Sequence, residues 1–285
     1  MTIRLVTDST CDLPPDIVAK FGITVIPLII TADAAEMRDG IDITRREFYT
    51  QLPDFKHSPK TAAPGPTFFR EVYDRLAREG ADDILSIHIS HKLSATIENA
   101  RQAAADTTAA RVTAFDSRQL SLGMGFQVVT AAQAAADGRS LPEILDLLDG
   151  QIRRTHVCAA LDTLEYMRRG GRMNGAITAM GNLLQVKPIL KMYEGEPTAE
   201  RVRTRRGALK RVRELIAEHV PYERAAILHS GVPERAAEFL ESVGDLLPRG
   251  DIWMEEINPV LGAHIGPGVL GFAGISSEQS ETRST

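Results

Sequence analysis

The first half of the chain repeats one pattern: a short apolar run, a polar turn, then a segment with helical spacing. Ile3-Arg4-Leu5-Val6 passes into Thr7-Asp8-Ser9-Thr10 and a helix entered through Pro14 and Pro15. Ile84 to Ile89 passes through a polar loop into an Ala-rich helix from about Ser94 to Ala105, and Val112 to Phe115 leaves through Asp116-Ser117 towards a helix over Gly123 to Ala136. A parallel neighbour is reached only by a crossover long enough to hold a helix, so this alternation predicts a doubly wound α/β sheet. Thr44 to Glu47 and Ser140 to Glu143 have the spacing of capping boxes, and Phe68 to Glu79 reads as a helix stopped by Gly80.

The second half is organised differently. Apolar stretches at Val157 to Leu161, Val186 to Met192, Ala225 to Leu228 and Ile252 to Ile257 read as strands, and helices are expected at Ala176 to Leu184, Arg205 to His219 and Pro233 to Leu247. That order suits an α+β unit with helices on one face of a sheet. The expected domains are 1–155 and 156–275, with an all-polar, disordered tail at 276–285. The longest apolar run, Ile23 to Ile30, is broken by Pro27 and falls far short of the ~20 residues of a membrane span, so it reads as a buried strand. Met1 leads directly into strand-like sequence with no basic head or cleavage site, which makes a cytoplasmic location the expectation.

Charge narrows the function classes. Residues 1–150 hold 15 Lys and Arg against 21 Asp and Glu, whereas residues 151–285 hold 18 against 17. An acidic chain is a poor nucleic-acid binder, and no helix-turn-helix pattern offsets that. The basic residues of the second half nevertheless crowd between Arg168 and Arg213, either as a solvated helix face or as a surface for an anionic partner. Cys11 and Cys158 stand far apart, outside any zinc or disulfide pattern. His88 and His91 lack the HExxH pattern and a third ligand, so no metal is expected there.

Several residues could carry chemistry. Ser94 and Thr96 open a helix after a buried strand, where free NH groups suit a carboxylate or phosphate; the plainer alternative is that Ser94 only caps the helix. Thr61 lies in the Pro/Gly-rich loop Ser58 to Pro66. Asp8, Ser9, Thr10, Asp116 and Ser117 sit at carboxyl ends of presumptive parallel strands, where ligands of such sheets bind. Gly266-Pro267-Gly268-Val269-Leu270-Gly271 spells GxGxxG, but no βαβ unit follows, so it reads as a tight turn before a final strand. No GxxxxGK[ST] motif offers ATP a site. His264 could hydrogen-bond an anion or fill a structural place; paired with Ser94 it is also the one candidate for a hydrolase, although no GxSxG elbow exists.

Taken in order, these segments resemble the DegV family of bacterial fatty-acid-binding proteins, acyl carriers for a fatty-acid kinase. The resemblance rests on Thr7-Asp8-Ser9-Thr10-Cys11-Asp12-Leu13, on Lys60-Thr61 before Pro64, and on Ser94-Ala95-Thr96. It continues through Leu161 to Tyr166 with Gly170-Gly171-Arg172, through Val186-Lys187-Pro188-Ile189, and through His264-Ile265-Gly266-Pro267-Gly268. It implies one long-chain fatty acid, such as palmitate, held in a cleft between two domains as ligand, with no cofactor and no catalytic residue. It further implies that Thr61, Ser94, Thr96 and His264 bind the ligand. Arg172 and Arg203 are then candidates for handling the phosphorylated head group or docking the kinase subunit, with transient membrane contact during delivery. Ala95 stands where the family usually has glycine, which matters if that backbone needs a positive φ.

Overall fold

The structure is a computed structural model that describes residues 2–33, 35–173 and 186–278. The expected helix at Ala176 to Leu184 lies outside the described residues.

The predicted alternation forms a four-stranded parallel sheet. β1 (Ile3–Asp8) is followed by α1 (Pro15–Phe21) and β2 (Thr24–Ile26), and the spatial order is completed by β6 (Asp83–His88) and β7 (Arg111–Asp116) as β2-β1-β6-β7. One face carries α3 (Pro66–Arg78) and α4 (Thr96–Asp106), whose Phe69, Tyr73, Leu76, Ala100 and Ala103 pack on Val6, Ile26 and Ile84. The other face receives α5 (Ser121–Ala136), whose Leu122, Met124, Phe126 and Val128 are buried. Burying each of these four adds about 1.5–3 kcal/mol.

The run Ile23 to Ile30 is not one strand. The chain turns at Pro27, and β3 (Ile29–Ala32) joins a second, three-stranded sheet of order β4-β3-β5, with β4 (Ala35–Arg38) and β5 (Lys60–Ala62). Part of the segment read as loop is therefore strand. Proline has no NH to give to a ladder and biases its neighbours to extended backbone, so Pro59 and Pro64 bracket a short edge strand. Between β4 and β5 lies α2 (Arg45–Gln51), which starts at the predicted capping box: Thr44 N donates to Glu47 Oε2 at 2.9 Å and Glu47 N to Thr44 Oγ1 at 3.2 Å.

After α6 (Leu141–Arg154), opened by the second predicted box, the chain builds a six-stranded sheet of order β10-β9-β8-β13-β11-β12. Its strands are β8 (Thr155–Ala160), β9 (Lys187–Tyr193), β10 (Glu196–Val202), β11 (Tyr222–His229), β12 (Trp253–Glu256) and β13 (Leu270–Ser276). β10 has no counterpart in the sequence reading. Its Glu-Pro-Thr-Ala-Glu-Arg-Val lacks apolar alternation, and what makes it pair is the two-residue turn Glu194-Gly195, both at positive φ, as tight hairpins require. α8 (Arg205–Ala217) and α9 (Pro233–Val243) cover one face, through Val212, Leu215, Ile216 and Phe239. Two further short helices are α7 (Glu165–Arg169) and α10 (Pro259–Ile265). β13 runs through Ser276, one residue into the segment read as tail, and Ser277 N donates to Pro221 O; residues 279–285 lie outside the described residues.

The two large sheets share α5. Two glycines bring it close to both sides: a Cβ on Gly123 would lie 2.6 Å from Val157 Cγ2 of β8, and one on Gly125 would lie 2.5 Å from the carbonyl oxygen of Cys11. α5 is wedged accordingly: Ser121 to Val129 are all buried, and the helix is exposed only towards its end, at Gln133 and Ala136.

Candidate functional site

In an open parallel sheet a crevice forms beyond the carboxyl ends of the strands where the winding changes direction. Here that point lies between β1 and β6, since β2 is added on one side and β6 and β7 on the other. The loop after β1 carries Thr10 and the loop after β6 carries Ile89 to Ala95; both face a cavity of about 640 Å3 closed from the other side by the second half of the chain. Val157, Ala159 and Leu161 from β8 and its exit, Leu190 and Met192 from β9, and Leu228 from β11 supply its apolar wall. Leu28, Ile257, Val260 and Leu261 complete it.

Polar groups gather on this wall. Thr61 from β5, Ser94 after β6, His264 from α10 and Arg172 after α7 all line the cavity. Thr61 is set by β5, where it pairs with Ile30, and the loop that follows is tied to α4 by Asn99 Nδ2 donating to Pro64 O at 2.8 Å. Thr61 Oγ1 lies 2.8 Å from His264 Nε2. Ser94 Oγ lies 2.7 Å from Thr96 Oγ1 and accepts from Thr96 N at 3.3 Å. Thr96 itself is fully buried and does not line the cavity, so among the expected ligand contacts it corrects to a support beneath Ser94. Ala95 is the residue that flanks the helix, at φ −77°, an ordinary value for alanine; the glycine usual there is not required.

The histidine is held by glycines. A Cβ on Gly170 would lie 2.4 Å from His264 Nδ1, and a Cβ on Gly266 would lie 2.3 Å from the Tyr166 ring. The end of α7 and the end of α10 therefore interlock, each glycine admitting the other helix's ring. Gly268, also at positive φ, leaves room for Asp162. The GxGxxG lettering thus marks close approach at a turn before β13, as read from the sequence. Burial holds the His264 ring well below the ordinary imidazole value, to about 4, and Arg172 pushes the same way, so the ring is neutral at pH 7. Its Nδ1 is buried and has no protein partner.

The structure does not join Ser94 to His264, the pairing a hydrolase would use: His264 Nε2 faces Thr61 and the Ser94 hydroxyl faces Thr96. A Ser-His-Asp chain does occur elsewhere. Ser86 Oγ lies 2.7 Å from His88 Nε2, and His88 Nδ1 lies 2.9 Å from Asp8 Oδ2, but all three are sealed from solvent. Asp8 thus serves the core rather than the cavity, as does Ser117, which is buried and bonded to Gln119, while Asp116 holds His91 through Nδ1. Cys11 and Cys158 are buried, and burial pushes both thiols up to about 12, which leaves them unreactive.

Arg172 stands exposed at the cavity, with Nη1 donating to Gly170 O at 3.0 Å. Arg203 is exposed just past β10 and does not line the cavity. Sequence reading did not single out the apolar wall. Its one legible signal is the alternate spacing of Val157, Ala159 and Leu161 and of Leu190 and Met192, which marks a shared sheet face without saying what that face covers. Lys92 and Lys191 also line the cavity, each near a carboxylate: Glu196 at 3.5 Å and Glu200 at 2.6 Å. Among the described residues no helix is long and apolar enough to cross a membrane, and no group of three or more His, Cys, Asp or Glu side chains is placed to hold a metal ion.

The DegV family model matches residues 2–277. A DegV domain-containing protein of Deinococcus radiodurans is 35% identical over 278 residues, covering 96% of this chain and 98% of its own, and one of Streptomyces coelicolor is 34% identical over 276 residues, covering 94% and 96%. Among solved structures, a DegV family protein from Thermus thermophilus, described by its fatty acid binding, superposes with a TM-score of 0.87 at 34% identity, covering 97% of this chain and all of its own. DegV from Bacillus subtilis, described as a fatty acid binding protein, superposes at 0.88 with 28% identity over the same shares.

Proposed function

The chain belongs to the DegV family, and from that premise we propose that it binds one long-chain fatty acid, with the tail in the apolar cavity and the carboxylate at Thr61, Ser94 and His264. The observation that carries the reading is the joining of a large apolar cavity to a small cluster of hydroxyls and a neutral histidine. A volume of about 640 Å3 lies within the ordinary range for small-molecule pockets. At about 0.8 kcal/mol per methylene, a tail of about 16 carbons gains roughly 11 kcal/mol gross before the costs of association. The tail alone supplies affinity. The head group decides what is accepted, because a buried carboxylate without partners is costly and hydroxyl donors lower that cost without a metal.

In this reading the chain is a carrier rather than an enzyme, with two domains, 1–155 and 156–275, meeting at the ligand. It works in the cytoplasm, presenting the carboxylate of a bound acid such as palmitate to a separate fatty-acid kinase, which supplies ATP and forms the acyl phosphate. The exposed Arg172 beside the cavity and the more distant Arg203 would meet the phosphorylated head group or the kinase, and delivery would involve transient contact with a membrane.

Native mass spectrometry of the purified protein, followed by solvent extraction, tests the reading. The expected result is a C14–C18 fatty acid at about one per chain. Protein that is empty and takes up no added fatty acid would sink the ligand assignment and leave the fold intact.

A further inference from the structure

The segment Thr7 to Leu13 is part of the family pattern, yet of its residues only Thr10 lines the cavity. Asp12 is the unexplained member. Its carboxyl group is wholly buried, where desolvation raises its pKa against the opposing pull of Arg45, and it touches no ligand-facing space. Such a group is destabilising unless it is closely partnered. Here it is: Asn258 donates to Oδ1 twice, from its backbone N at 2.8 Å and its Nδ2 at 2.9 Å, Ser121 Oγ donates to Oδ2, and Arg45 Nη2 stands 3.6 Å from Oδ1.

These partners are the starting points of three helices. Arg45 is the first residue of α2, Ser121 the first of α5, and Asn258 caps α10 by accepting from Leu261 N at 2.9 Å. Each helix leads to the site. α10 carries Val260 and Leu261 on the cavity wall and His264 in its last turn. Ser121 lines the cavity itself. α2 backs α10, for a Cβ on Gly262 would fall 2.6 Å from the Tyr49 hydroxyl and 3.0 Å from Phe48 Cε1. Arg45 Nη1 also holds the segment just before Asn258, donating to Glu256 O at 2.5 Å with the Glu255 carboxylate at 3.3 Å.

The backbone at this junction is unusual. Asp12 and Ser121 both have positive φ, +54° and +51°, and their side chains bond to each other. Strained backbone persists where surrounding contacts over-determine it, and it concentrates at functional sites.

We propose that Asp12 is a positioning residue for carboxylate recognition: by gathering the starts of α2, α5 and α10 on one buried carboxylate, it fixes His264 against Thr61 at the head of the cavity. This rests on the fatty-acid reading of the cavity and goes beyond it, because Asp12 acts without touching the ligand. The consequence is specific. Loosening the junction degrades recognition of the head group and leaves the tail's contribution in place.

The test compares palmitate with hexadecanol, which has the same tail and no carboxylate, on the full chain. For wild type the expected result is a clear preference for palmitate. Asp12→Asn is expected to lower palmitate affinity about tenfold while changing hexadecanol affinity less than about twofold, with cooperative thermal unfolding retained. Because Asn258→Asp returns a carboxylate to the same junction, the pair Asp12→Asn with Asn258→Asp is expected to restore most of the preference, a rescue that a general loss of packing would not show. If Asp12→Asn does not fold, Asn258→Ser, which removes the Nδ2 donor to Asp12 and keeps an oxygen to cap the helix, takes its place in the comparison. An unchanged palmitate preference, or an equal loss for both lipids, would overturn the proposal alone. Wild-type protein that takes up neither lipid would overturn the reading of the cavity, and the proposal with it.

Discussion

His88 and His264 each lie under 3 Å from a hydroxyl, Ser86 in one case and Thr61 in the other. Their surroundings differ in one respect that decides their roles. Around His88 everything is partnered: Tyr73 donates to Ser86 at 2.9 Å, Ser86 meets His88 Nε2, Asp8 meets His88 Nδ1, and the same carboxylate accepts from the backbone N of Thr10 at 3.0 Å and of Ile89 at 3.1 Å. Around His264 the network ends at a surface, because the ring and its partner Thr61 both line a cavity. The first arrangement has the residue types of a hydrolytic triad and no route for a substrate; the second opens on a place for a ligand. Chemistry is read from unsatisfied groups at a surface, and a complete network in the core is structure.

Breaking the sealed network gives the largest effect. Asp8→Ala leaves His88, Thr10 N and Ile89 N without their acceptor, and should lower unfolding free energy by about 3–5 kcal/mol in urea titrations. A loss below about 1 kcal/mol would mean that the network is not the structural element described here.

Gly170→Ala acts on the other histidine. Its Cβ would lie 2.4 Å from His264 Nδ1, so the ring must leave Thr61. Fatty-acid affinity should fall about tenfold or more, with stability reduced by about 1–3 kcal/mol from the overpacking. Unchanged affinity would remove His264 from the head-group site.

A third effect is a pH dependence. Burial lowers the His264 pKa to about 4 and that of His156 to about 3, both below the ordinary value of 6.5. The unfolded chain therefore binds more protons between these values, so the stability contributed by the neutral rings is full above pH 6.5 and lost progressively as pH falls towards 4 and then 3. Each ring contributes a slope of at most about 1.4 kcal/mol per pH unit. In His264→Gln the fall in urea midpoint between pH 6.5 and 4 should be shallower than in wild type; identical slopes would show that burial does not hold this ring neutral.

What was legible in the sequence follows the same division. The parallel sheet, both capping boxes and the glycine turn before β13 are local patterns, carried by residues close together in the chain. Thr61, Ser94 and His264 each stood out locally, but their grouping at one ligand came from resemblance, since nothing local links residues separated by so much chain; the cavity brings all three to one wall. Thr96 was read as a contact because a hydroxyl at a helix start looks alike whether it faces a cleft or the core; its burial decides the matter. The apolar wall stayed hidden because the alternation on β8 and β9 identifies a face and not its occupant. β10 and β5 were missed for a related reason: their pairing depends on a turn and on prolines rather than on hydrophobic period.

The order of the six-stranded sheet bears on how the protein is made. β13 lies in its interior, between β8 and β11, although it follows β9, β10, β11 and β12 along the chain. During synthesis β8 with its hairpin and β11 with β12 must therefore wait as two separate fragments, each with a bare edge and each missing the strand that joins them. A nascent chain halted before residue 270 would expose both edges together, the kind of unpaired edge at which strands pair wrongly.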